Sequence, residues 1–492
     1  MSTSQPVTLG EWLTAESIPA ELAQQPLAPI TLDSRRVESG HWYVITVLDS
    51  DKAQQFYLDA VERGAAMVLV DASLSVEEKA GCPVVRLAEL KSRLGELMNG
   101  YFASPSRQMD VIGVTGTNGK TSVSQFIASA LAFLGKPCAV LGTLGYGMPG
   151  QLQAATHTTP DIDRVHGVMA QMQVQQGAKA VAMEVSSHAL TQGRVDGVTF
   201  QSAVFTNLSR DHLDYHGDMA SYAVAKQRLF QCAELQHAVI NLDDPWAASF
   251  IEVLAPTVNL VTYATEQDAT IYLGLWHPEP DGMRLEFMTP RGRVSFSTPL
   301  LGRFNVSNLL AVAAVLYAQG YSVEQISAAL AQVQRVPGRM ESFRQQGKPL
   351  LVVDYAHTPD ALVKALSALR EHVQGRLWCV FGCGGDRDRG KRPLMAAAVE
   401  SQADFIILTQ DNPRTESSQQ IIADTQAGFM TLDHVSIITD REAAIRYAVE
   451  HASPDDMVLI AGKGHEEYQD IAGVKHAFSD RTLAAELLGV AL

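Results

Sequence analysis

Short uninterrupted apolar runs alternate along this chain with stretches whose apolar positions recur every three to four residues, as buried parallel strands and one-faced helices do. Up to about residue 107 the runs at 65–70 and 83–87 are expected strands, and a helix is expected over 90–102. Ala103-Ser104-Pro105-Ser106 then reads as a linker. After it, 111–114 is a compact strand-like run and a glycine turn follows. Val123, Phe126, Ile127, Ala130, Leu131 and Leu134 then repeat at helical spacing until Gly135 stops them. Runs at 180–183, 203–205 and 238–240 extend the series of parallel strands. At Val336-Pro337-Gly338 the pattern restarts. Strands at 350–353, 378–381, 405–409, 435–439 and 457–461 alternate with helices from Pro359, Pro393, Ser417, Arg441 and about Arg481. Five such alternations predict a doubly wound α/β sheet, whose ligands bind at the carboxyl ends of the strands. The polar clusters at 354–358, 382–392, 410–416 and 462–467 all fall there.

Length turns this pattern into domains. At roughly 150 residues each, 492 residues predict three, expected at 1–107, 108–337 and 338–492, and 46% apolar residues can supply a core for each. The balance of 38 Lys+Arg against 54 Asp+Glu gives a formal charge of -16, which argues against broad nucleic-acid binding, since that needs a basic face. The first residues lack a basic start followed by an apolar stretch, so export is not expected. The longest apolar run, 309–318, falls short of the ~18 residues a membrane-spanning helix needs. A soluble, cytoplasmic chain is expected. Cys82, Cys138, Cys232, Cys379 and Cys383 contain no CxxC pair, which speaks against a zinc ribbon or a disulfide scaffold.

Gly116-Thr117-Asn118-Gly119-Lys120-Thr121 stands between an expected strand and an expected helix. Its glycines let backbone N–H groups approach phosphate oxygens, and the helix start favours negative charge. Lys120 can reach the β/γ-phosphates and Thr121 can place its hydroxyl on Mg²⁺. A turn that merely caps a helix is the bland alternative. Glu184 and His212 each follow an apolar run, which would set both at strand ends near this loop. Alone, they would equally suit a capping element and a packed core residue.

GTNGKT resembles the loop of the ATP-dependent Mur ligases and of the related folylpolyglutamate synthases, which join an amine to a carboxylate. The resemblance continues through Glu184-Val185-Ser186-Ser187-His188, Thr206-Asn207-Leu208-Ser209-Arg210-Asp211-His212, Gly302-Arg303-Phe304-Asn305-Val306-Ser307-Asn308, Asp354-Tyr355-Ala356-His357-Thr358-Pro359-Asp360 and Asp411-Asn412-Pro413-Arg414. It implies an N-terminal domain for a UDP-linked substrate, a central P-loop ATPase domain and a Rossmann-like C-terminal domain for an amino acid. ATP is then the co-substrate and Mg²⁺ the cofactor. The resemblance implies that Gly116 to Thr121 hold phosphate, that Asn305 and Asn308 lie beside adenine, and that Arg339 and Asp354 meet phosphate and ribose. Thr121, Glu184, His212 and Lys226 would bind Mg²⁺, Lys226 as a carbamate (N6-carboxylysine), although its surroundings alone suggest a solvated helix lysine. Lys120, Lys226, Glu184 and His212 would carry the catalysis.

The same resemblance implies two organic partners for a monomeric enzyme of bacterial cell-wall precursor synthesis. UDP-N-acetylmuramoyl-L-alanyl-D-glutamate would meet Leu32 and Ser34 at its uridine end, and Thr158, Thr159, Ser186, Gln192 and Arg194 at its peptide end. The family's glycine-containing loop is replaced here by Thr46-Val47-Leu48-Asp49-Ser50-Asp51-Lys52. The amine would be meso-2,6-diaminopimelate. Its far carboxylate calls for a planar, two-pronged cation, supplied by Arg414 with Arg392. Asp411, Asn412, Gly462 and Glu466 would complete the site. A folylpolyglutamate-type ligase and a nucleotide-binding regulator without ligase activity are the competing readings.

Overall fold

The computed structural model describes residues 8–14, 18–155 and 157–492; residues 1–7, part of the segment read for an export signal, lie outside that set. The chain parts into two compact units, Met1–Val261 and Thr262–Leu492. The boundaries expected after 107 and 337 fall inside these units, each at a join between two sheets.

In the first unit, β1 (Ile30–Thr31), β2 (Trp42–Val44), β3 (Met67–Asp71) and β4 (Val84–Leu87) form a parallel sheet in chain order. Both faces are buried. Trp42, Val44, Met67 and Leu69 pack with Leu90 and Leu94, whereas Tyr43, Val68 and Val70 pack with Ala53 and Tyr57. The period of two along each strand thus serves two cores, which is why the sequence shows continuous apolar runs. The expected linker at 103–106 is instead an ordered turn. Ala103 and Ser104 take left-handed backbone angles (φ 59° and 54°), and a short 3-10 helix runs over Pro105–Arg107. Ser106 is buried and accepts a hydrogen bond from Thr199 N at 3.0 Å.

The next sheet has ten strands, of which β5 (Asp110–Thr115), β6 (Cys138–Gly142), β7 (Gly145–Gly147), β8 (Ala180–Glu184), β9 (Ser202–Phe205) and β10 (His237–Asn241) run in the order β10-β9-β5-β8-β6-β7. Among these, all neighbours are parallel except β6 and β7. Register decides what meets at its end. Val114 pairs with Glu184 and Thr115 with Phe205, so the loop after β5 opens between the ends of β8 and β9.

β11 (Asn259–Ala264) runs across the division between the units. In the second unit, β12 (Ile271–Glu279), β13 (Gly282–Thr289) and β14 (Gly292–Thr298) form an antiparallel meander with no counterpart among the sequence expectations. On β13 and β14 the buried side chains alternate with more exposed ones, Met283, Leu285 and Phe287 on the first and Val294 and Phe296 on the second, while β12 buries only Ile271. This is the period-two signature of a half-exposed sheet, unlike the continuous runs elsewhere.

The last sheet holds β15 (Glu341–Phe343), β16 (Leu350–Asp354), β17 (Leu377–Phe381), β18 (Phe405–Leu408), β19 (Val435–Ile437) and β20 (Met457–Ala461), ordered β15-β16-β20-β17-β18-β19. β15 alone is antiparallel. Helices Pro359–Arg370, Lys391–Glu400 and Ser418–Gln426 cover one face, and Arg441–His451 and Asp480–Leu488 the other. This is the doubly wound alternation expected from the sequence. Among the described residues, no helix is long and apolar enough to cross a membrane.

Candidate active site

In the first unit, the loop after β5 leads into helix Lys120–Phe133. Gly116 has φ +148°, and a Cβ there would lie 1.9 Å from Thr206 Oγ1. Only glycine lets the loop pass so close to the next segment. The Thr206-Asn207-Leu208-Ser209 segment clasps the loop. Thr206 Oγ1 donates to Asn118 O at 2.7 Å, Asn118 N donates to Asn207 Oδ1 at 3.0 Å, and Thr117 N donates to Asn207 O at 2.8 Å. Two amines converge on one carbonyl. Lys120 Nζ donates to Gly116 O at 2.9 Å and to Thr117 O at 2.8 Å, and Lys226 Nζ donates to Gly116 O at 2.8 Å.

Lys226, on helix Met219–Gln227, is 1% exposed. Burial, reinforced by the charge of Lys120, pulls its pKa well below the ordinary lysine range. A neutral amine of this kind can add to CO₂. The solvated helix lysine suggested by its local sequence is therefore replaced by a buried and electronically altered one.

Glu184 ends β8 at 1% exposure and is held by three donors. Thr121 Oγ1 (2.9 Å) and Thr143 Oγ1 (3.1 Å) donate to its Oε2, and Thr143 N (2.8 Å) to its Oε1. The facing Thr121 hydroxyl and Glu184 carboxylate are hard oxygen donors beside the 116–121 loop. Among the described residues no group of three or more His, Cys, Asp or Glu side chains gathers into a metal site. That sparse set suits Mg²⁺, which shares its coordination with phosphate oxygens and water. His212 departs from expectation. β9 ends at Phe205, and His212 sits in the loop beyond it with left-handed φ of 53° and a half-exposed side chain, 3.4 Å from Asp211. Its ring lies 5.0 Å from that of His188, which also contacts Tyr215 and His216. The sequence reading assigned no role to this aromatic and imidazole cluster.

The residues expected to hold the UDP-linked acceptor are divided between two cavities and a set of hydrogen bonds around Thr159. Leu32, Gln192 and Arg194 line a cavity of about 820 Å³, and Leu32 and Ser34 line a second of about 310 Å³. Thr46 lines both and Val47 the smaller, so the divergent loop does face this space. Thr159 Oγ1 donates to Glu184 O at 2.8 Å and accepts from Ser186 N at 3.1 Å, while Arg194 Nη1 donates to Thr159 O at 3.0 Å. The Thr158 and Thr143 hydroxyl oxygens lie 3.1 Å apart, within hydrogen-bond reach.

In the second unit, Asn305 and Asn308 are buried on helix Arg303–Ala318, where Asn308 Nδ2 donates to Asn305 Oδ1 at 3.0 Å. Arg339 lies over the Tyr355 ring at 4.9 Å with its Nε buried and unpartnered. Asp354 accepts from Met340 N and Ala356 N, both at 2.8 Å, and burial raises its pKa against the pull of Arg339.

Of the amine-side residues, Asp411, Asn412, Gly462 and Glu466 come together. Asn412 Nδ2 donates to Glu466 Oε2 at 2.9 Å, and a Cβ on Gly462 would lie 2.5 Å from Asp411 Oδ2. Arg414 has φ 52°, and its Nη1 donates to Gly385 O at 2.6 Å. Arg392 is a correction. Its side chain is 2% exposed and doubly ion-paired, with Glu416 at 2.8 Å and Asp424 at 2.7 Å. Arg392, with the Asp386 N–H and Arg389, holds the Glu416 carboxyl down at about 2. Arg392 is an internal strut beneath two loops and is not presented to a ligand, because its polar prongs are already committed. Arg387 in the same loop is exposed and has no ion pair among the described residues. Lys463, whose side chain is 0% exposed, is a further member that sequence reasoning passed over.

Comparison with known proteins bears on this geometry. Residues 114–316 match the Mur ligase middle domain, and residues 338–464 match the Mur ligase, glutamate ligase domain. A UDP-N-acetylmuramoyl-L-alanyl-D-glutamate--2,6-diaminopimelate ligase of Coxiella burnetii is 48% identical over 456 residues, 91% of this chain and 93% of that protein. One of the same description from Pseudomonas aeruginosa is 48% identical over 463 residues, covering 93% and 95%. A solved structure of a UDP-N-acetylmuramoyl-L-alanyl-D-glutamate--2,6-diaminopimelate ligase superposes with a TM-score of 0.75 at 39% identity, over 98% of this chain and 99% of that one.

Proposed function

The chain belongs to the Mur ligase family, and from that premise we propose that it is the ATP-dependent ligase that adds meso-2,6-diaminopimelate to UDP-N-acetylmuramoyl-L-alanyl-D-glutamate. The carrying observation is the similarity to ligases of that description over nine-tenths or more of the chain. It disfavours both a folylpolyglutamate-type ligase and a regulator without ligase activity. The enzyme acts as a cytoplasmic monomer in peptidoglycan precursor synthesis, with its three expected segments taking the UDP substrate, ATP and the amino acid.

The reaction begins with the γ-carboxylate of the D-glutamyl residue attacking the γ-phosphorus of ATP, with ADP leaving. The diaminopimelate amine then attacks the acyl carbon, and the tetrahedral intermediate expels phosphate to leave the amide. The first step presses two anions together, and bound Mg²⁺ supplies charge that offsets the repulsion. Thr121 and Glu184 would hold it, with His212 and carbamylated Lys226. Lys120 exchanges its hold on the loop carbonyls for phosphate oxygens, and the loop N–H groups orient the nucleotide. Neutral Lys226 adds its nitrogen to the carbon of CO₂ and loses a proton, which converts a buried amine into an anionic oxygen donor.

Arg194 is suited to the acceptor's carboxylate, and Arg414 to the far carboxylate of the amine. Mass spectrometry of the product formed from the UDP-muramoyl dipeptide, ATP and equal meso-diaminopimelate and lysine tests the assignment. The diaminopimelate adduct should dominate, by an order of 10⁴ where a buried polar set is left unpaired by the competitor. Comparable lysine adduct would refute it.

A further inference from the structure

Lys463 is the buried cation of the amine side. Its Nζ donates to Asn412 Oδ1 at 3.0 Å and to Glu466 Oε2 at 3.1 Å, and lies 5.6 Å from the centre of the Tyr468 ring. A buried charge persists only when its surroundings supply partners, and both partners here are residues assigned above to the amine. Asn412, itself 3% exposed, accepts a second hydrogen bond on Oδ1 from Asp470 N at 2.9 Å. An ammonium can donate only to the oxygen of an amide, so Lys463 fixes which way the Asn412 amide faces. The amide nitrogen is thereby turned onto Glu466 Oε2, which then holds two donors. Glu466 Oε1 has no partner among the described residues. Beside it, Asp411 Oδ2 is buried and unpartnered. Glu466, whose side chain is 21% exposed, thus keeps one oxygen uncommitted while the lysine pins the other, and the buried Asp411 carboxylate adds negative charge behind it.

We propose that Lys463 is a positioning residue for the amino-acid substrate: it locks Asn412 and one oxygen of Glu466 so that the other Glu466 oxygen receives the ammonium at the far end of the amine. The proposal rests on the ligase reading above and deepens it. Lys463 acts through Asn412 and Glu466 and does not touch the reacting atoms. Its loss therefore weakens selection of the far-end ammonium while leaving ATP and the UDP substrate alone.

The test compares wild type with Lys463→Met, which keeps length and removes charge, using meso-diaminopimelate and 2-aminopimelate, which lacks the far-end amine. The expected result is a KM for diaminopimelate raised about tenfold, the worth of roughly one charge-assisted hydrogen bond. The preference for diaminopimelate over 2-aminopimelate should shrink to a similar degree, with KM for ATP and for the UDP-muramoyl dipeptide within about twofold of wild type. Lys463→Arg, which retains charge, should recover part of that preference. The proposal is overturned if the preference is unchanged, or if all three KM values and the melting temperature move together as a purely structural lysine would dictate. Failure of both variants to fold would likewise assign the residue to stability and overturn it. Absence of any amide product from wild type would refute the ligase reading first, and is distinguished by being seen before any substitution.

Discussion

Replacing His166 with leucine should remove part of the acid sensitivity of folding. His166 lies on helix Ile162–Gln176 and is 0% exposed. Its Nε2 stands 2.9 Å from Asp196 O, which fixes the N–H on that nitrogen, and its Nδ1 is buried without a partner. Burial lowers its pKa from 6.5 to about 4, because the imidazolium would have to sit in the core. The sign follows from proton counts. Above pH 6.5 the ring is neutral folded or unfolded; between 6.5 and 4 the unfolded chain binds a proton that the folded chain refuses; below 4 both hold it. Stability is therefore present above the unfolded value and lost as pH falls towards the folded one. At 1.36 kcal/mol per pH unit, the whole loss is about 3 kcal/mol, and about 2.5 kcal/mol of it has occurred by pH 4.5. Leucine forfeits the hydrogen bond to Asp196, worth about 1 kcal/mol at any pH, but does not titrate. Urea unfolding of both proteins at pH 7.5 and 4.5, followed through the transition of the first unit, isolates the term as a difference of differences. The variant should gain about 2 kcal/mol or more on wild type between the two pH values. Parallel losses in the two proteins would refute the reasoning.

Three further outcomes follow from the site. Gly116→Ala should abolish nucleotide binding, measured by calorimetry with ADP, because its Cβ would meet Thr206 Oγ1 at 1.9 Å in a backbone conformation that alanine resists; retained affinity would refute the close approach. Lys226→Ala should lose most turnover and regain part of it with added formate, and intact-mass measurement of wild type should show a mass gain that depends on bicarbonate; unchanged turnover in the variant would exclude the carbamate. Arg441 and Asp480 are both 0% exposed and paired at 2.7 Å. Arg441→Leu should cost about 3–5 kcal/mol by stranding a buried carboxylate, and the Arg441→Leu/Asp480→Leu double variant should recover most of it. Additive losses in chemical denaturation would deny the coupling.

The strand and helix alternation after residue 337 was legible because both faces of β16, β17, β18 and β20 are covered, and that coverage forces continuous apolar runs. The meander of β12, β13 and β14 was not, because it is only partly buried: β12 buries Ile271 alone, and on β13 and β14 polar residues interrupt the apolar ones. The turn at 116–121 between a strand and a helix was legible locally, since its glycines, lysine and threonine stand within six consecutive residues. The state of Lys226 was not: its amine meets the Gly116 carbonyl from far along the chain, and the helix spacing of Tyr222-Ala223-Val224-Ala225-Lys226 does not announce that contact. Arg392 illustrates the opposite error. Its position in a basic loop suggested a ligand cation, yet its partners Glu416 and Asp424 lie well downstream, where spacing gives no hint of pairing.

That strut bears on any attempt to change which amine the enzyme takes. Glu416 receives Arg392, Arg389 and the backbone N–H of Asp386, and Asp386 in turn accepts the hydroxyl of Thr415. The stretch bearing Arg387 and the stretch bearing Arg414 are laced into a single piece. Grafting one of them from a homologue with a different amino-acid preference would import half of each tie and leave orphaned charges behind. The transplantable module is the pair of loops together with residue 424.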